Sequence, residues 1–419
     1  MVPRGGGRGR GDDGGSRRAG GRKGRTRGIV LSAACPGSER GLSWPGIFGL
    51  DCWRPGGLPP GCFRPGGLRV SRFRVGGLRR CGPGPRLRVF RPGLFPAGGG
   101  GRVAGMVSEE VGEEYRERSA RVLGLEPGGA REAAAVREFA RRIGAERGLV
   151  DVHTHFMPDR VLRKVWAYFD AAGPLVGRQW PITYRRAEDE RIAVLRAFGV
   201  RAFTSMLYPH KPGMAEWLNG WAADFAARVP ECLHTATFFP EPGVEAYVRA
   251  AVERGARVFK AHVQVGAYDP AEPVLDPVWG LLAEAGVPVV AHCGSGPVPG
   301  KYTGPGPMRE VLARHPRLRL VVAHLGMPEY SEFLDLVADY PEVRLDTMMA
   351  WTGFAEEFAP FPHAELPRLA AYGHRVLLGT DFPNTPYPYA HQLEVMADLG
   401  LGEEWLRAVC HDNAARLFG

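Results

Sequence analysis

The chain has 419 residues and a formal net charge of +9 at pH 7, a length sufficient for two or three average domains or one barrel with additional segments. Its positive charge is concentrated in residues 1–105, which carry 21 Lys and Arg against 4 Asp and Glu, whereas residues 106–419 carry 33 against 41. Nucleic-acid binding needs clustered basic residues on a folded face, so this distribution argues against a nucleic-acid partner. No run of 18 apolar residues occurs, and we therefore expect no membrane partner.

The seven cysteines do not form a recognisable disulfide framework. Four precede Met106, and only Cys232, Cys293 and Cys410 follow it, at wide spacing. An odd, dispersed set of this kind is typical of proteins in a reducing compartment, which makes a cytoplasmic location the expectation. The Arg17-Arg18 pair lacks the following apolar stretch that an export signal requires.

Residues 1–105 are rich in Gly, Arg and Pro and repeat the pattern Arg-Pro-Gly-Gly-Leu at Arg54 and Arg64. Such a composition offers too little apolar surface to offset the entropy of ordering, so it predicts a disordered, low-complexity segment. Two interpretations stay open: a basic tail that binds RNA, or a translated upstream stretch before a start at Met106, which the composition favours. Residues 106–147 are predicted to form an N-terminal helical segment.

From residue 148 onward, short apolar runs alternate with helical patterns, as a parallel sheet with crossover helices requires. Helical patterns include Gly213–Ala227, Val244–Arg254, Asp276–Ala285 and Met308–Arg314. The predicted strands are Leu149–His153, Val200–Leu207, Leu233–Phe238, Arg257–His262, Val287–His292, Leu318–His324, Val343–Thr347 and Val376–Thr380. Eight such runs predict an α/β fold, a (β/α)8 TIM barrel over residues 148–419. A doubly wound open sheet is the alternative.

Polar residues follow five of these apolar runs at equivalent positions. In a TIM barrel the carboxyl ends of the strands meet at one mouth, where catalytic side chains converge. The strand-end residues are His153 and His155, Lys260 and His262, His292, His324, and Asp381. A single histidine after a strand is commonly a packed or surface residue, but repetition at five strand ends favours a functional site.

The spacing of His153 and His155 indicates a shared ligand. Side chains at positions i and i+2 of a strand point to the same side, so both imidazoles can face the barrel axis. Neutral imidazole and carboxylate groups suit zinc and related divalent ions, and a site with an open coordination position is catalytic in type. The run Asp151-Val-His-Thr-His155, combined with the other strand-end groups, therefore predicts a metal centre.

These motifs resemble the amidohydrolase superfamily, and within it the amidohydrolase-related group that includes aminocarboxymuconate-semialdehyde decarboxylase. The matching pieces are Val152-His-Thr-His155, Val290-Ala-His-Cys-Gly294, Val322-Ala-His-Leu-Gly326, Leu378-Gly-Thr-Asp-Phe-Pro383 and the closing Asn413–Gly419 segment. The resemblance implies that one divalent ion, zinc with manganese as the alternative, is held by His153, His155, His292 and Asp381. It also implies that His324 orients a water molecule or polarises the substrate.

Lys260 and His262 have two interpretations. In dinuclear relatives a lysine at the end of the fourth strand is carboxylated and bridges two ions, with the histidines of the next two strands on the second ion. In the mononuclear group, which this sequence resembles more closely, Lys260 and His262 would instead face the substrate. Other candidates for a substrate pocket are Tyr208, Trp351 and Asn384, which follow strands.

The expected activity is hydrolysis of an amide, lactone or ester of a small organic acid, with Asp381 as proton acceptor and donor and His324 beside it. The alternative is non-oxidative decarboxylation of an aromatic or enoic acid, which calls for an arginine that clamps a carboxylate. Arg178, Arg185 and Arg186 are the candidates for that clamp. A metal-free binding or scaffold protein is the third hypothesis, disfavoured because every ligand position is filled. The expected partner is a small-molecule substrate, and homo-oligomerisation is left open.

Overall fold

The computed structural model describes residues 121–419, so the expectations for residues 1–120 lie outside the described part of the chain. Its strands run parallel and their order in space follows their order in sequence. They are β1 (Leu149–Asp151), β2 (Val200–Thr204), β3 (Cys232–Leu233), β4 (Thr235–Thr237), β5 (Val258–His262), β6 (Val289–His292), β7 (Leu320–Val322), β8 (Val343–Asp346) and β9 (Val376–Leu377).

The predicted third strand is divided into β3 and β4, with a break at His234. The Thr235 hydroxyl explains the break, because Thr235 Oγ1 donates to Leu233 O at 2.9 Å and accepts from Ser205 N at 3.0 Å. A side chain thus takes the place of regular ladder bonds at this position. The pairing resumes at once, since His234 O accepts from Arg257 N at 2.8 Å.

The barrel is closed by hydrogen bonds between the ends of β1 and β9. Val152 N donates to Leu378 O at 2.8 Å, and Asp381 N donates to His153 O at 2.8 Å. The predicted TIM barrel is therefore confirmed, and the open-sheet alternative is wrong. The closing bonds lie next to His153 and Asp381, so the seam of the barrel also positions two of the predicted site residues.

Helices connect the strands and cover the barrel. The helix predicted at Asp276–Ala285 is observed with the same bounds. The α-helices are α1 (Ala130–Arg142), α2 (Asp159–Ala171), α3 (Gly173–Val176), α4 (Glu188–Phe198), α5 (Ala215–Arg228), α6 (Val244–Glu253), α7 (Val263–Gly266), α8 (Asp276–Ala285), α9 (Pro305–Arg314), α10 (Tyr330–Asp339), α11 (Gly353–Glu356), α12 (Leu366–Ala371), α13 (Tyr389–Ala397), α14 (Glu403–Arg407) and α15 (Asn413–Phe418). Within residues 121–419, none combines the length and apolar character that crossing a bilayer needs.

The barrel interior contains a layer of small branched side chains. On β5, Val258 faces this interior, whereas Phe259 packs outward against the helices, as the period of two requires. Val290 and Val321 lie in the same interior cluster as Val258. The polar residues Lys260 and His292 lie two positions further along β5 and β6. The valine layer therefore forms the floor of the polar mouth.

Helix α1 packs against α4 and α13, and one buried carboxylate anchors it. Glu132 accepts from the Tyr184 hydroxyl at 2.5 Å and from Ala390 N at 3.2 Å. Burial raises the pKa of Glu132, which is fully shielded from solvent. This helix lies within residues 121–147, the described part of the predicted helical segment that precedes the barrel.

Candidate metal centre

Three of the predicted ligands converge at the carboxyl ends of the strands. The ligand atoms of His153, His155 and Asp381 all lie within 4.8 Å of one another. All three side chains are buried, with exposed fractions of 1% for His153 and 4% for Asp381. Two imidazoles and a carboxylate at this spacing form a donor set suited to a divalent transition metal.

Hydrogen bonds fix the tautomer of His153. Its Nδ1 lies 2.8 Å from Asp346 Oδ2, a carboxylate oxygen that accepts, so Nδ1 carries the proton. Nε2 consequently presents its lone pair toward the mouth, where Lys260 Nζ lies 3.1 Å away. A histidine held by a carboxylate in this way is oriented as metal-ligating histidines are.

His155 is oriented by the backbone of the strand-two loop. Its Nδ1 donates to Met206 O at 2.6 Å, which leaves Nε2 to face Asp381 Oδ1 at 2.7 Å. In the neutral ring this places a nitrogen lone pair against a carboxylate oxygen, both of them acceptors. A cation or a proton must lie between or beside them for the arrangement to be stable. The residues present therefore fit a bound metal ion.

His292 lies beside this set and not within it. Its ring stacks on His262 at 4.2 Å between centroids and lies 4.7 Å from the ring of His324. His292 Nε2 donates to Gly296 O at 3.0 Å, so Nδ1 holds the free lone pair. Burial lowers the pKa of His292 to about 3, and the imidazole is therefore neutral.

His324 offers an unused polar atom to the site. Its Nε2 is buried and has no hydrogen-bond partner among residues 121–419. Because a buried unpaired nitrogen costs about 1–3 kcal/mol, such an atom indicates a missing ligand. The ring lies 5.8 Å from that of His153, so the missing partner would lie in the mouth. Burial lowers the pKa of His324 and keeps this ring neutral as well.

Asp346, at the end of β8, connects the two histidines and is missing from the set that the sequence predicts. While its Oδ2 accepts from His153, its Oδ1 accepts from the backbone N–H of His324 at 2.8 Å and of Met348 at 3.2 Å. Burial raises the pKa of the Asp346 carboxyl to about 6. The strand-end rule applies to β8 as it does to the other strands, and it would have identified this residue.

Strained backbone marks the same mouth. Non-glycine residues with left-handed φ include His324 at 57°, Trp351 at 64° and Asp381 at 67°, each after a strand end. Such conformations cost about 1–3 kcal/mol each and persist only where the surroundings enforce them. At Asp381 the enforcing contact is the bond from its N–H to His153 O. These left-handed conformations therefore lie at residues around the carboxyl mouth of the barrel.

Two motif glycines permit close approach around the site. A Cβ on Gly379 would lie 2.9 Å from His153 Cβ and 3.2 Å from Asp346 Cγ. A Cβ on Gly294 would lie 2.5 Å from Met327 O. Any larger residue at Gly379 would therefore push the segment after β9 away from His153, and any larger residue at Gly294 would separate the loops that follow β6 and β7.

Lys260 is fully buried, and burial lowers the pKa of its ammonium group to about 8. Its contact with His153 Nε2 places it at the lone pair that would bind an ion. The same position suits a substrate-facing amine or a carboxylated bridging group, and its role remains a prediction.

The other predicted substrate-binding residues differ in position. The Tyr208 ring lies 4.6 Å from His262 and 5.8 Å from His155, so Tyr208 and His262 are both at the mouth. Trp351 is buried, and its Nε1 has no partner in the described part of the chain. The side-chain oxygen of Asn384 accepts from Trp166 Nε1 at 3.0 Å, and its backbone N–H donates to Asp381 O, so Asn384 supports the Asp381 turn.

The arginines proposed as a carboxylate clamp have other partners. Arg178 donates to Phe354 O and pairs with a glutamate at 2.8 Å, and Arg185 pairs with Asp170 at 2.6 Å. Arg186 donates to a backbone carbonyl at 2.6 Å. Sequence reasoning also missed Arg191, a fully buried residue of α4 whose Nη1 lies 3.4 Å from His155 O.

A parallel eight-strand barrel with histidine and aspartate donors at its carboxyl mouth defines a TIM-barrel enzyme. The sequence profile of the Amidohydrolase family matches residues 150–419, and the chain belongs to that family. No curated protein sequence matches it significantly.

A solved structure with a TM-score above 0.5 supports the fold, and two others have lower scores. An uncharacterised TIM-barrel protein from Bordetella bronchiseptica is 18% identical, with a TM-score of 0.51 over 64% of this chain and 98% of that one. A 5-carboxyvanillate decarboxylase from Sphingomonas paucimobilis is 16% identical, with a TM-score of 0.48 over 65% and 99%. A probable 2-pyrone-4,6-dicarboxylic acid hydrolase from Acinetobacter baumannii is 13% identical, with a TM-score of 0.45 over 65% and 99%.

Proposed function

We propose that this protein is a metal-dependent hydrolase that acts on an amide, lactone or ester of a small organic acid. In this proposal His153, His155, His292 and Asp381 hold one divalent ion, zinc with manganese as the alternative. The observation that carries it is the convergence of His153, His155 and Asp381, whose ligand atoms all lie within 4.8 Å of one another at the buried mouth. A bound ion would polarise the substrate carbonyl and lower the pKa of a water molecule toward neutrality.

The chain's own residues would supply the proton transfers. With Oδ1 directed at His155, Asp381 keeps Oδ2 to accept the proton of the attacking water. The same oxygen would then deliver that proton to the leaving nitrogen or oxygen, which balances the hydrolysis. His324 would use its unpartnered Nε2 to hydrogen-bond the substrate carbonyl or orient the water.

The hydrogen bonds and ion pairs of the three candidate arginines support hydrolysis over decarboxylation. A decarboxylase would be expected to direct a guanidinium at the substrate carboxylate. Arg178, Arg185 and Arg186 instead bind backbone carbonyls or acidic side chains. The neutral donor Tyr208 and the imidazole of His262 line the mouth and are compatible with an uncharged ester or amide.

The test is a substrate panel with two detectors. Zinc-loaded protein is incubated with lactones, amides, esters and hydroxybenzoates while acid release and carbon dioxide release are both followed. We expect acid without carbon dioxide, and loss of this signal in Asp381→Asn but not in the exposed control Asp339→Asn. Carbon dioxide release from a hydroxybenzoate would refute hydrolysis and support the decarboxylase alternative.

A further inference from the structure

The amino-terminal mouth of the barrel carries a second polar cluster, opposite the metal centre. An open depression of about 470 Å³ lies between the starts of β7, β8 and β9 and the helix α15. In the described part of the chain, its lining includes four arginines, Arg319, Arg344, Arg375 and Arg416, and no acidic residue.

The strand register explains why three of these arginines converge. Arg344 on β8 pairs with Val321 on β7, and Val321 belongs to the interior cluster of the barrel. Arg319 precedes Val321 by two residues, and Arg375 likewise precedes the interior residue Leu377. Because alternate residues of a strand share a face, Arg344 and Arg319 continue the inward face below the apolar layer. Arg375 ends the short 3-10 helix Gly373–Arg375 directly before β9 and lines the same depression.

This cluster has little compensating negative charge. Among residues 121–419, Glu342 is the carboxylate that contacts it, at 3.2 Å from Arg344 Nη1 and 3.6 Å from Arg319 Nε. Arg416 donates to the neutral Asn413 side chain. Four guanidinium groups near one carboxylate leave an excess of positive charge, which opposes folding unless an anion joins them.

Backbone carbonyls accept only some of the N–H groups of Arg319 and Arg375. Arg319 Nη1 donates to Gly286 O at 2.9 Å, and Arg375 Nη1 donates to Val337 O at 2.6 Å. These bonds hold the planar groups in fixed orientations. Arg375 Nε is buried and has no partner within residues 121–419, so it lacks an acceptor. Phosphate oxygens accept paired N–H hydrogen bonds from arginine and therefore suit guanidinium groups that are already held in fixed orientations.

We propose that this arginine depression binds a small organic anion that carries two phosphate groups. The charge of a bisphosphate matches the excess of the cluster, and the volume lies within the range of about 300–1,000 Å³ usual for small-ligand pockets. The site lies at the end of the barrel away from the strand-end histidines, so its occupant is a ligand distinct from the substrate.

The experiment measures binding of fructose 1,6-bisphosphate to the zinc-loaded protein by calorimetry at constant ionic strength. Fructose 6-phosphate and citrate serve as a one-phosphate and a carboxylate comparison. We expect the bisphosphate to bind most tightly. Arg344→Gln and Arg416→Gln should each raise its Kd by about 10-fold, the usual effect of losing one charged hydrogen bond.

Arg249→Gln is the matched control, because Arg249 is exposed on α6 and pairs with Glu245 outside the depression. It should leave the Kd unchanged. Arg416 is also exposed at the surface, so its variant tests the site even if Arg344→Gln fails to fold. Equal binding by all three variants, absence of bisphosphate binding, or tighter binding of citrate would each overturn the proposal.

Discussion

Replacing Asp346 by Asn tests how the metal centre is preorganised. The two backbone N–H groups of His324 and Met348 hold one oxygen of this side chain, and His153 Nδ1 holds the other. In Asp346→Asn the remaining oxygen should stay on the two N–H donors, so the new NH2 group faces Nδ1. The proton of His153 must then move to Nε2, which removes the lone pair that would bind the ion.

The expected loss follows from that tautomer change. Loss of a carboxylate that orients a ligating histidine costs about 10–100-fold in metal affinity, or about 1.4–2.7 kcal/mol. We predict the upper end of this range, because the amide donor opposes the required tautomer as well as failing to support it.

Zinc affinity is measured by competition with a chromophoric chelator, alongside a thermal melt of the metal-free protein. Asp339→Asn is the control, because this exposed side chain pairs only with Arg309 among the contacts described. Both variants should melt like the parent, and only Asp346→Asn should lose affinity. Unchanged zinc affinity in Asp346→Asn would refute the orienting role of this carboxylate.

Further predictions concern the proton transfers, the ion count and the fold. Asp381→Asn and His324→Asn should each retain much of the metal by elemental analysis and lose at least ~10²-fold in turnover. Full turnover in Asp381→Asn with metal bound would show that Asp381 is not the proton acceptor. Elemental analysis should give about one ion per chain, whereas two ions with bicarbonate-dependent activity would indicate a carboxylated Lys260. Glu132→Ala should lower the free energy of unfolding by about 2 kcal/mol, because the buried donors of Tyr184 and Ala390 lose their acceptor. Glu138→Ala, at an exposed position of the same helix, should leave the denaturant melt unchanged. Equal effects of the two variants would refute the anchoring role of Glu132.

The sequence predicted the barrel well because parallel strands buried on both faces leave a strong signal. Apolar runs such as Val287–His292 end in a polar residue where the chain reaches the mouth, and this boundary is readable without a structure. The break in the third strand could not be read in this way. It depends on the hydroxyl of Thr235 replacing backbone bonds, and a threonine in a strand is usually a regular member.

At the site, the sequence predicted the residues that follow strands. It did not show which of them would contact the ion and which would orient those ligands. His153 and Asp346 are joined at 2.8 Å although 193 positions separate them, and no local pattern indicates such a pair. Asn384 was predicted at the mouth from its place after a strand; its side chain accepts a hydrogen bond from Trp166, and its contact with substrate stays a prediction. Both the His153–Asp346 and the Trp166–Asn384 hydrogen bonds join residues that are far apart in the sequence, and only the fold brings them together.

Anomalous diffraction at the zinc edge, from crystals of zinc-loaded protein, tests the central claim most directly. We predict a single peak per chain at the carboxyl mouth, about 2.0–2.2 Å from nitrogens of His153, His155 and His292 and an oxygen of Asp381. Two peaks bridged by Lys260 would contradict the mononuclear centre. Absence of a peak at the mouth would contradict metal binding by these residues altogether.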